Sequence, residues 1–295
     1  MEDIVSRNQL IIYGANGWLG RSALSAATNH AFGNSFNEIL LIGSRESTLV
    51  LDGQIYKVHN SLTSLEKIQD GAVFFNSAFL RREYLKKINE VEYTQRNNEI
   101  SEFALTVLER FNLATFINIS SGVANSKSLY DTYSDPYAQL KRYWENRFEE
   151  SSRNCGNAFL NCRIFSITGR YINEFDNLAI SAFIKSSLNG SVINVKSPRT
   201  RRTYLDAEQL SQVLLNLGQQ EVSLTLDSGG VLVTMEELAK TVLEVVGMGS
   251  LEIAPIDSSA DYFGNFAEFN SLADLMGIDV LSLKKQIQTT LPAFS

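Results

Sequence analysis

The stretch that decides the fold is Phe116 to Lys141, FINISSGVANSKSLYDTYSDPYAQLK. Phe116 to Ile119 are apolar and partly β-branched and stop at Ser120 and Ser121, the pattern of a short buried strand. At the other end Tyr137 and Lys141 stand at i and i+4, which puts both side chains on one helix face, one turn apart. Pro136 suits a first helical turn, where a missing N–H costs nothing, and Asp135 or Ser134 can cap it. The spacing therefore predicts a strand end facing a helix start that carries a phenol and an ammonium.

A free tyrosine has a pKa of about 10, too high for a base near neutral pH, and an ammonium within about 4–6 Å favours the phenolate. Such a pair suits proton transfer coupled to hydride transfer at a carbinol or ketone carbon. A positioned acid or base contributes typically about 10²–10⁴-fold in rate. Ser121, at the strand end, can hydrogen-bond the same substrate oxygen.

Toward the N-terminus, Leu10 to Tyr13 form an apolar strand that runs into Gly14-Ala15-Asn16-Gly17-Trp18-Leu19-Gly20, and Arg21 to Thr28 read as an alanine- and leucine-rich helix. Strand, glycine-rich turn and helix start come in the order that a phosphate-binding turn needs. Glycines allow a tight turn and close backbone approach, while the helix's free N–H groups and dipole hold a pyrophosphate.

The second strand, Glu38 to Ile42, ends at Gly43-Ser44-Arg45. An acid there would accept from the adenosine ribose hydroxyls of NAD, whereas an arginine pairs with the 2′-phosphate of NADP. Ser44 and Arg45 tilt the expectation to NADP. In the alternative Arg45 is a solvated loop residue and Glu46 grips the ribose of NAD.

A strand ending in Ser-Ser, a Tyr-x-x-x-Lys about twenty residues on and a Gly-x-x-Gly-x-x-Gly turn near the N-terminus together resemble the short-chain dehydrogenase/reductase superfamily. Later features resemble its extended branch, the nucleotide-sugar epimerases, dehydratases and ketoreductases. The resemblance implies an α/β fold, a Rossmann-type doubly wound parallel sheet with helices on both faces, plus a smaller C-terminal α/β substrate-binding lobe. The dinucleotide-binding domain would be residues 1–168 and the substrate lobe 169–295, with a segment around 204–230 returning to the first.

On the same resemblance Ser121 is the catalytic hydroxyl, Tyr137 the acid/base and Lys141 its helper. The cofactor contacts would come from Gly14, Asn16, Gly17, Trp18, Leu19, Gly20, Ser44, Arg45, Ser77, Ala78, Ile119, Tyr137, Lys141 and Ile164. Strand three, Ile55 to Val58, is followed by Asn60-Ser61-Leu62, where the family often has an Asp near the adenine. Strand four, Val73 to Ser77, carries Asn76-Ser77-Ala78, similar to the segment beside the cofactor's ribose; Arg81 and Arg82 follow as a solvated helix start or a phosphate contact.

Ile100, Phe103, Leu105 and Leu108 predict a long helix from about Tyr93 to Phe111. Asn97, with Asn98 beside it, falls where the family often keeps an Asn that steadies a water or the lysine. Relatives commonly pair into homodimers through helices equivalent to 93–111 and 136–151, and the outward aromatics Tyr143 and Trp144 allow this. The sixth strand, Ala158 to Ile164, leads into a segment similar to the family's Leu-Arg-Pro-x-Asn-x-Tyr-Gly. It has Ile164 at the proline, Ser166 at the Asn and Thr168 at the Tyr, departures that leave the substrate contacts less secure than the cofactor contacts.

Helices are expected at Leu178 to Leu188, Ala207 to Leu217, Thr234 to Val246 and Leu281 to Leu291, and a strand at Ser223 to Asp227. Thr234 with Glu237 is a capping-box pattern. Ser197 to Leu205 is a basic stretch, either a polar surface loop or, by the resemblance, the grip on a substrate diphosphate. Arg202, with Tyr204 and Glu208 behind it, fits that role best, and Arg201 is a near substitute. Gly122 and Ser166 join Arg202 as expected substrate contacts.

Departures from the family narrow the reaction. Dehydratases usually have an acidic pair after the catalytic Ser or Thr, where this chain has Gly122-Val123. The 3,5-epimerase/reductases use a Cys near that position and a distant His; Cys155, Cys162, His30 and His59 do not fall there. What remains is NADPH-dependent reduction of a nucleotide-linked 4-keto sugar, as in deoxysugar precursor synthesis, or 4-epimerisation with tightly bound NAD. A binding-only sensor or scaffold is the reading from another class, though such members typically lose the Tyr or the Lys.

Composition bounds the rest. With 295 residues and 44% hydrophobic content the chain is long enough for one large or two smaller cores. A net charge of −7 argues against nucleic acid as a partner. Two cysteines and two histidines far apart in sequence make a structural metal unexpected. Neither a secretory pattern nor an apolar run of about 18 residues is present, so no membrane contact and a cytoplasmic location are the expectation.

Overall fold

The computed structural model describes residues 9–29, 36–125, 135–172, 178–255 and 260–294. Its elements, in chain order, open with β1 (Gln9–Tyr13), α1 (Trp18–Thr28), β2 (Glu38–Gly43), β3 (Ser47–Leu51), β4 (Gln54–Asn60) and α2 (Ser61–Ser64). They continue with β5 (Val73–Asn76), α3 (Glu90–Arg110), β6 (Thr115–Ser121), α4 (Pro136–Cys155), β7 (Ala158–Ile164) and β8 (Ser166–Thr168). The remainder are α5 (Ala179–Leu188), β9 (Val192–Val195), β10 (Arg201–Asp206), α6 (Ala207–Gln219), β11 (Leu224–Asp227), β12 (Val231–Thr234), α7 (Met235–Val246), β13 (Ser250–Ile253), α8 (Phe266–Leu275) and α9 (Leu283–Thr290).

The chain divides into two compact units, residues 1–163 with 214–225, and residues 164–213 with 226–295. The break thus comes just before the expected boundary after 168, because β8 pairs with β10 rather than with the large sheet. Residues 214–225 are the part of 204–230 that lies with the first unit.

An eight-stranded sheet runs in the order β11-β7-β6-β5-β1-β2-β4-β3. β1 pairs in parallel with β2 on one side and β5 on the other, β2 with β4, and β5 with β6. Outward from β1 the chain thus fills β2 and β4 first, then jumps back to β5, β6 and β7, which is the doubly wound Rossmann order. Ligands of such sheets sit at the carboxyl ends of the strands where the order reverses, here between β1 and β5. The strands are near-continuous apolar runs because helices cover both faces: Leu10, Ile11, Ile12, Phe74, Phe75, Phe116 and Ile117 are fully buried. On one face Phe116 of β6 meets Phe148 of α4 and stacks on Phe74, over a core shared with Leu105 and Leu108 of α3. On the other, the Gly218 carbonyl accepts from Thr115 Oγ1, and a β-carbon on Gly218 would come within 2.8 Å of the Ile117 Cδ1 methyl.

β4 is longer than the expected Ile55 to Val58 and forms an antiparallel hairpin with β3, a strand not expected from the sequence. Its two-residue turn, Asp52-Gly53, has positive φ at both positions, 49° and 79°, the geometry whose twist matches that of the strands it joins. In the second unit β8, β10 and β12 make a three-stranded sheet and β9 pairs with β13 in parallel. The strands β8, β9, β12 and β13 and the helix α8 are not among those expected from the sequence; they are short or half-exposed, and their alternation is correspondingly weak. Thr234 does cap α7 in a complete capping box with Glu237.

Candidate active site

The glycine turn begins at the carboxyl end of β1, where Gly14 takes φ +89° and its N–H and that of Ala15 donate to the Ile42 carbonyl. A Cβ on Gly14 would come within 2.8 Å of Ala78 N and 2.9 Å of Ser77 Oγ, and one on Gly20 would strike the Gly14 carbonyl oxygen. β-Carbons are therefore excluded where the turn packs on Ser77-Ala78 and on itself. Gly17 opens α1 without a side-chain cap and no acid sits in the first turn, so the helix end presents bare N–H groups and positive dipole. Asn16 Nδ2 donates to Ser47 Oγ, Arg21 Nε to the Asn16 carbonyl, and Ser77 Oγ to the Tyr13 carbonyl, so side chains from α1, β3 and the end of β5 fix the turn. Trp18 and Leu19 are half-buried, and Trp18 Nε1 has no partner among the described residues. A cradle that only glycine fits, ending on an uncapped helix N-terminus, suits the diphosphate of a dinucleotide. Ser44 and Arg45 follow β2 directly and are exposed, as is Glu46.

α4 supplies the second half. Asp135 Oδ1 accepts from Tyr137 N, Pro136 occupies the first turn, and Gly156 closes the helix in the left-handed conformation. Ser134, the other capping candidate, and His30 lie outside the described residues. Tyr137, Lys141, Trp144 and Phe148 recur at helical spacing on one face, and Trp144 and Phe148 are buried in the core under α3 and β6. The same face carries Lys141 inward: it is buried, and its Nζ donates to the Ile119 carbonyl at 3.0 Å. Burial pushes its pKa down to about 7, opposed by the carboxylate of Glu145 one turn on. Glu145 is itself held by two guanidinium nitrogens of Arg163, with Nη2 at 2.8 Å. The Lys141 ammonium also lies 3.9 Å over the ring of Phe79, whose ring meets that of Tyr137 at 5.9 Å, nearly edge-on.

Ser121, buried at the end of β6, leads into a short turn of Gly122, Val123 and Ala124, and Arg142 of α4 donates to the Ala124 carbonyl. Alternation along β6 gives Ser120 the same face as Phe116, the face that packs on α4; its Oγ is buried without a partner among the described residues. Next to it a buried ladder of amides crosses three strands: Asn76 Nδ2 donates to Asn118 Oδ1, and Asn118 Nδ2 to Asn161 Oδ1. Asn97 is fully buried and spends its amide on the main chain, accepting from Leu80 N at 2.7 Å and donating to the Tyr93 carbonyl. Tyr93 in turn donates to the Leu80 carbonyl, and burial first, then its neighbour Tyr137, push its pKa up so that it stays a donor. The lysine's partners are thus Ile119 and Phe79, while Asn97 pins the segment that bears Phe79.

Phe79, Tyr93 and Ser120 were not singled out in the sequence. A large aromatic directly after Asn76-Ser77-Ala78 is the signal that points to Phe79; nothing in the pattern separates Ser120 from Ser121 short of the strand's facing direction.

Ile164, Ser166 and Arg202 belong to the second unit. Ile164 and Ser166 are half-buried at the end of β7 and the start of β8. Arg201 is committed to Asp261, which takes its backbone N–H and its guanidinium, with Nε at 2.9 Å. Arg202 is half-buried on β10, and its Nε is buried with no partner among the described residues. Its charge counters the burial that pushes Tyr204 up to about 12. Glu208 pairs with Arg170 at 3.3 Å. Along α3 runs an open groove of about 910 Å³ lined by Glu90, Val91, Thr94 and Asn98 among others; none of the site residues lines it. Among the described residues no cluster of His, Cys, Asp and Glu could hold a metal ion, and no helix is long and apolar enough to cross a membrane.

Known proteins show the same architecture. The UDP-glucose 4-epimerase of Thermus thermophilus, in complex with NAD, superposes with a TM-score of 0.71 at 14% identity, over 97% of this chain and 98% of that one. The UDP-N-acetylglucosamine 4-epimerase of Bacillus cereus gives 0.72 at 16% identity, over 96% of each chain. That of Methanobrevibacter ruminantium, in complex with UDP-N-acetylmuramic acid, gives 0.73 at 16%, over 97% of this chain and 98% of that one. At such identities the likeness is one of fold. No curated protein sequence matches the chain. The family model described as NAD dependent epimerase/dehydratase matches residues 10–224, which span the glycine turn, β6 and the Tyr137–Lys141 helix. The chain therefore belongs to the NAD-dependent epimerase/dehydratase family, whose enzymes are NAD(P)-dependent and of the extended short-chain dehydrogenase/reductase type.

Proposed function

We propose that the protein reduces a nucleotide-linked 4-keto sugar with NADPH. The observation that carries this reading is the placing of Lys141 against the Ile119 carbonyl on the α4 face that also carries Tyr137, at the carboxyl end of β6. A bound nicotinamide dinucleotide supplies the hydride that goes to the ketone carbon. Tyr137 gives its phenolic proton to the ketone oxygen, and the Lys141 charge stabilises the phenolate left behind. Ser121 hydrogen-bonds that oxygen, with the buried Ser120 Oγ, which has no partner among the described residues, on the adjoining position of β6. Residues Gly14 to Gly20 hold the diphosphate, with Ala78, Ile119 and Ile164 as further cofactor contacts, and Asn97 acts from behind by fixing Leu80. Gly122, Ser166 and Arg202 face the substrate, Arg202 as the partner of its diphosphate. Arg45, exposed directly after β2 where an acid would mark NAD, supports NADP and hence a cofactor that is exchanged.

A second reading, 4-epimerisation with retained NAD, is supported by Glu46 next to Arg45 and by the 4-epimerases among the structural neighbours. Incubation with NADPH and a 4-keto-6-deoxy nucleotide sugar decides between them. Loss of the NADPH absorbance supports reduction; no consumption, with interconversion of a saturated nucleotide sugar, supports epimerisation. Neither reaction, with cofactor still bound, would leave the binding-only role. A homodimer through the outer faces of α3 and α4, where Val91 and Tyr143 are exposed, is part of the proposal, and sedimentation at micromolar concentration tests it.

A further inference from the structure

We infer that Phe79 is a positioning residue for the proton-transfer pair, holding the Lys141 ammonium against its ring face and the Tyr137 phenol against its ring, within the reaction proposed above. The ammonium stands 3.9 Å from the ring centroid, close enough for the negative face of the ring to favour the charged lysine. Its other partner is the neutral Ile119 carbonyl at 3.0 Å. Neither of these two partners carries a full charge, and the ring helps to offset the cost of burying this cation.

The ring is also fixed in place. Ser77, two residues before it, donates Oγ and N–H to the Tyr13 carbonyl at the glycine turn. Leu80, directly after it, has its N–H taken by Asn97 and its carbonyl by Tyr93, both of α3. The segment is clamped on both sides of Phe79, and the Tyr137 ring packs at 5.9 Å and 72° against it. Phe79 thus connects the cofactor turn to the acid/base helix through one rigid stretch of backbone.

Among the described residues the ionisable groups around the lysine are few. Glu145 on α4 favours its charge and is paired with Arg163 of β7. Tyr137 is on the same helix face, and Tyr93 comes from α3. Asp135, ion-paired with Arg82 at 3.3 Å, stands at the helix start. From β6 the contact is the Ile119 carbonyl. Burial already pushes the lysine toward neutrality near pH 7, so a modest change in what the ring supplies moves its charge within the working range.

The test replaces Phe79 in the full-length protein with phenylalanines of increasing ring fluorination, which keep the shape and drain the negative face, and with Phe79→Leu and Phe79→Tyr. The readout is titration of the Lys141 ¹³Cε resonance, assigned by its loss in Lys141→Met, beside the pH profile of kcat. The Lys141 midpoint is expected to fall stepwise with fluorination, by about half to one and a half pH units in all. Phe79→Leu should fall with it, Phe79→Tyr should stay near wild type, and the alkaline limb of kcat should move by the same amount. A midpoint unmoved by fluorination overturns the inference, as does Phe79→Tyr shifting as far as Phe79→Leu. The resonance titrates whatever the substrate proves to be, so failure of the ketoreductase reading would show as absent turnover with the midpoint shift intact.

Discussion

Lys141 donates to the backbone carbonyl of Ile119 at 3.0 Å, tying the second turn of α4 to the carboxyl end of β6. The bond fixes the ammonium, and with it the helix face that carries Tyr137, beside the strand end that bears Ser120 and Ser121. Burial of that cation has a consequence for stability. With a folded pKa of about 7 against an ordinary 10.5, the unfolded chain binds the lysine's proton between these values while the folded chain has released it. Stability from this group therefore rises with pH from about 7 to 10.5, and below 7 the cost of the buried charge is present in full. Lys141→Met should accordingly gain most over wild type at about pH 6–7, on the order of a few kcal/mol, and lose that advantage toward about pH 10. Paired urea titrations across this range check it; an advantage that grows with pH would refute it.

Removing the Tyr137 hydroxyl keeps the ring that packs on Phe79 and, on the proposed reaction, takes away the proton donor. Tyr137→Phe is expected to lower kcat by about 10²–10⁴-fold with little change in cofactor affinity or Tm. Steady-state turnover beside NADPH fluorescence titration measures both.

Gly14 stands at φ +89° with Ala78 N 2.8 Å from where a β-carbon would be. Gly14→Ala should cost on the order of 1–3 kcal/mol of stability from backbone strain, and more from the collision. It should also weaken dinucleotide binding at least tenfold, because relief requires the turn or Ser77-Ala78 to shift. Thermal unfolding with and without saturating cofactor separates the two effects.

Arg163 neutralises Glu145, which is 4% exposed. Arg163→Met would leave a buried carboxylate without its cation, at a cost of up to about 3 kcal/mol, the arginine being partly exposed. Arg163→Met with Glu145→Gln should recover most of that loss, which a double-mutant cycle reads directly.

Arg45 is expected to set cofactor choice. Arg45→Asp should lower the kcat/KM for NADPH by tenfold or more and raise it for NADH, since a carboxylate repels the 2′-phosphate and accepts from ribose hydroxyls. Equal effects on both cofactors would assign Arg45 to solvent.

What was legible in the sequence is what local chemistry dictates. Gly14 and Gly20 have to be glycines because backbone approaches there, Gly17 sits tight against the Gly14 carbonyl, and this shows as spacing. Pro136 after Asp135 starts a helix by its own geometry, and the i, i+4 step of Tyr137 and Lys141 fixes their common face. Thr234 and Glu237 cap α7 through bonds three residues apart. The long parallel strands were readable because burial on both faces makes them apolar throughout.

Tertiary packing decided the rest. Which hydroxyl of Ser120 and Ser121 faces α4 depends on the direction in which β6 is laid against it. The Phe79 ring becomes a partner of Lys141 only when the segment after β5 and the distant helix α4 meet. Asn97 turns out to hold Leu80, and Arg201 is taken by Asp261, because long-range contacts claim side chains whose local sequence leaves them free. Sequence determines what a residue can donate, accept or accommodate; the fold alone decides which neighbour collects it.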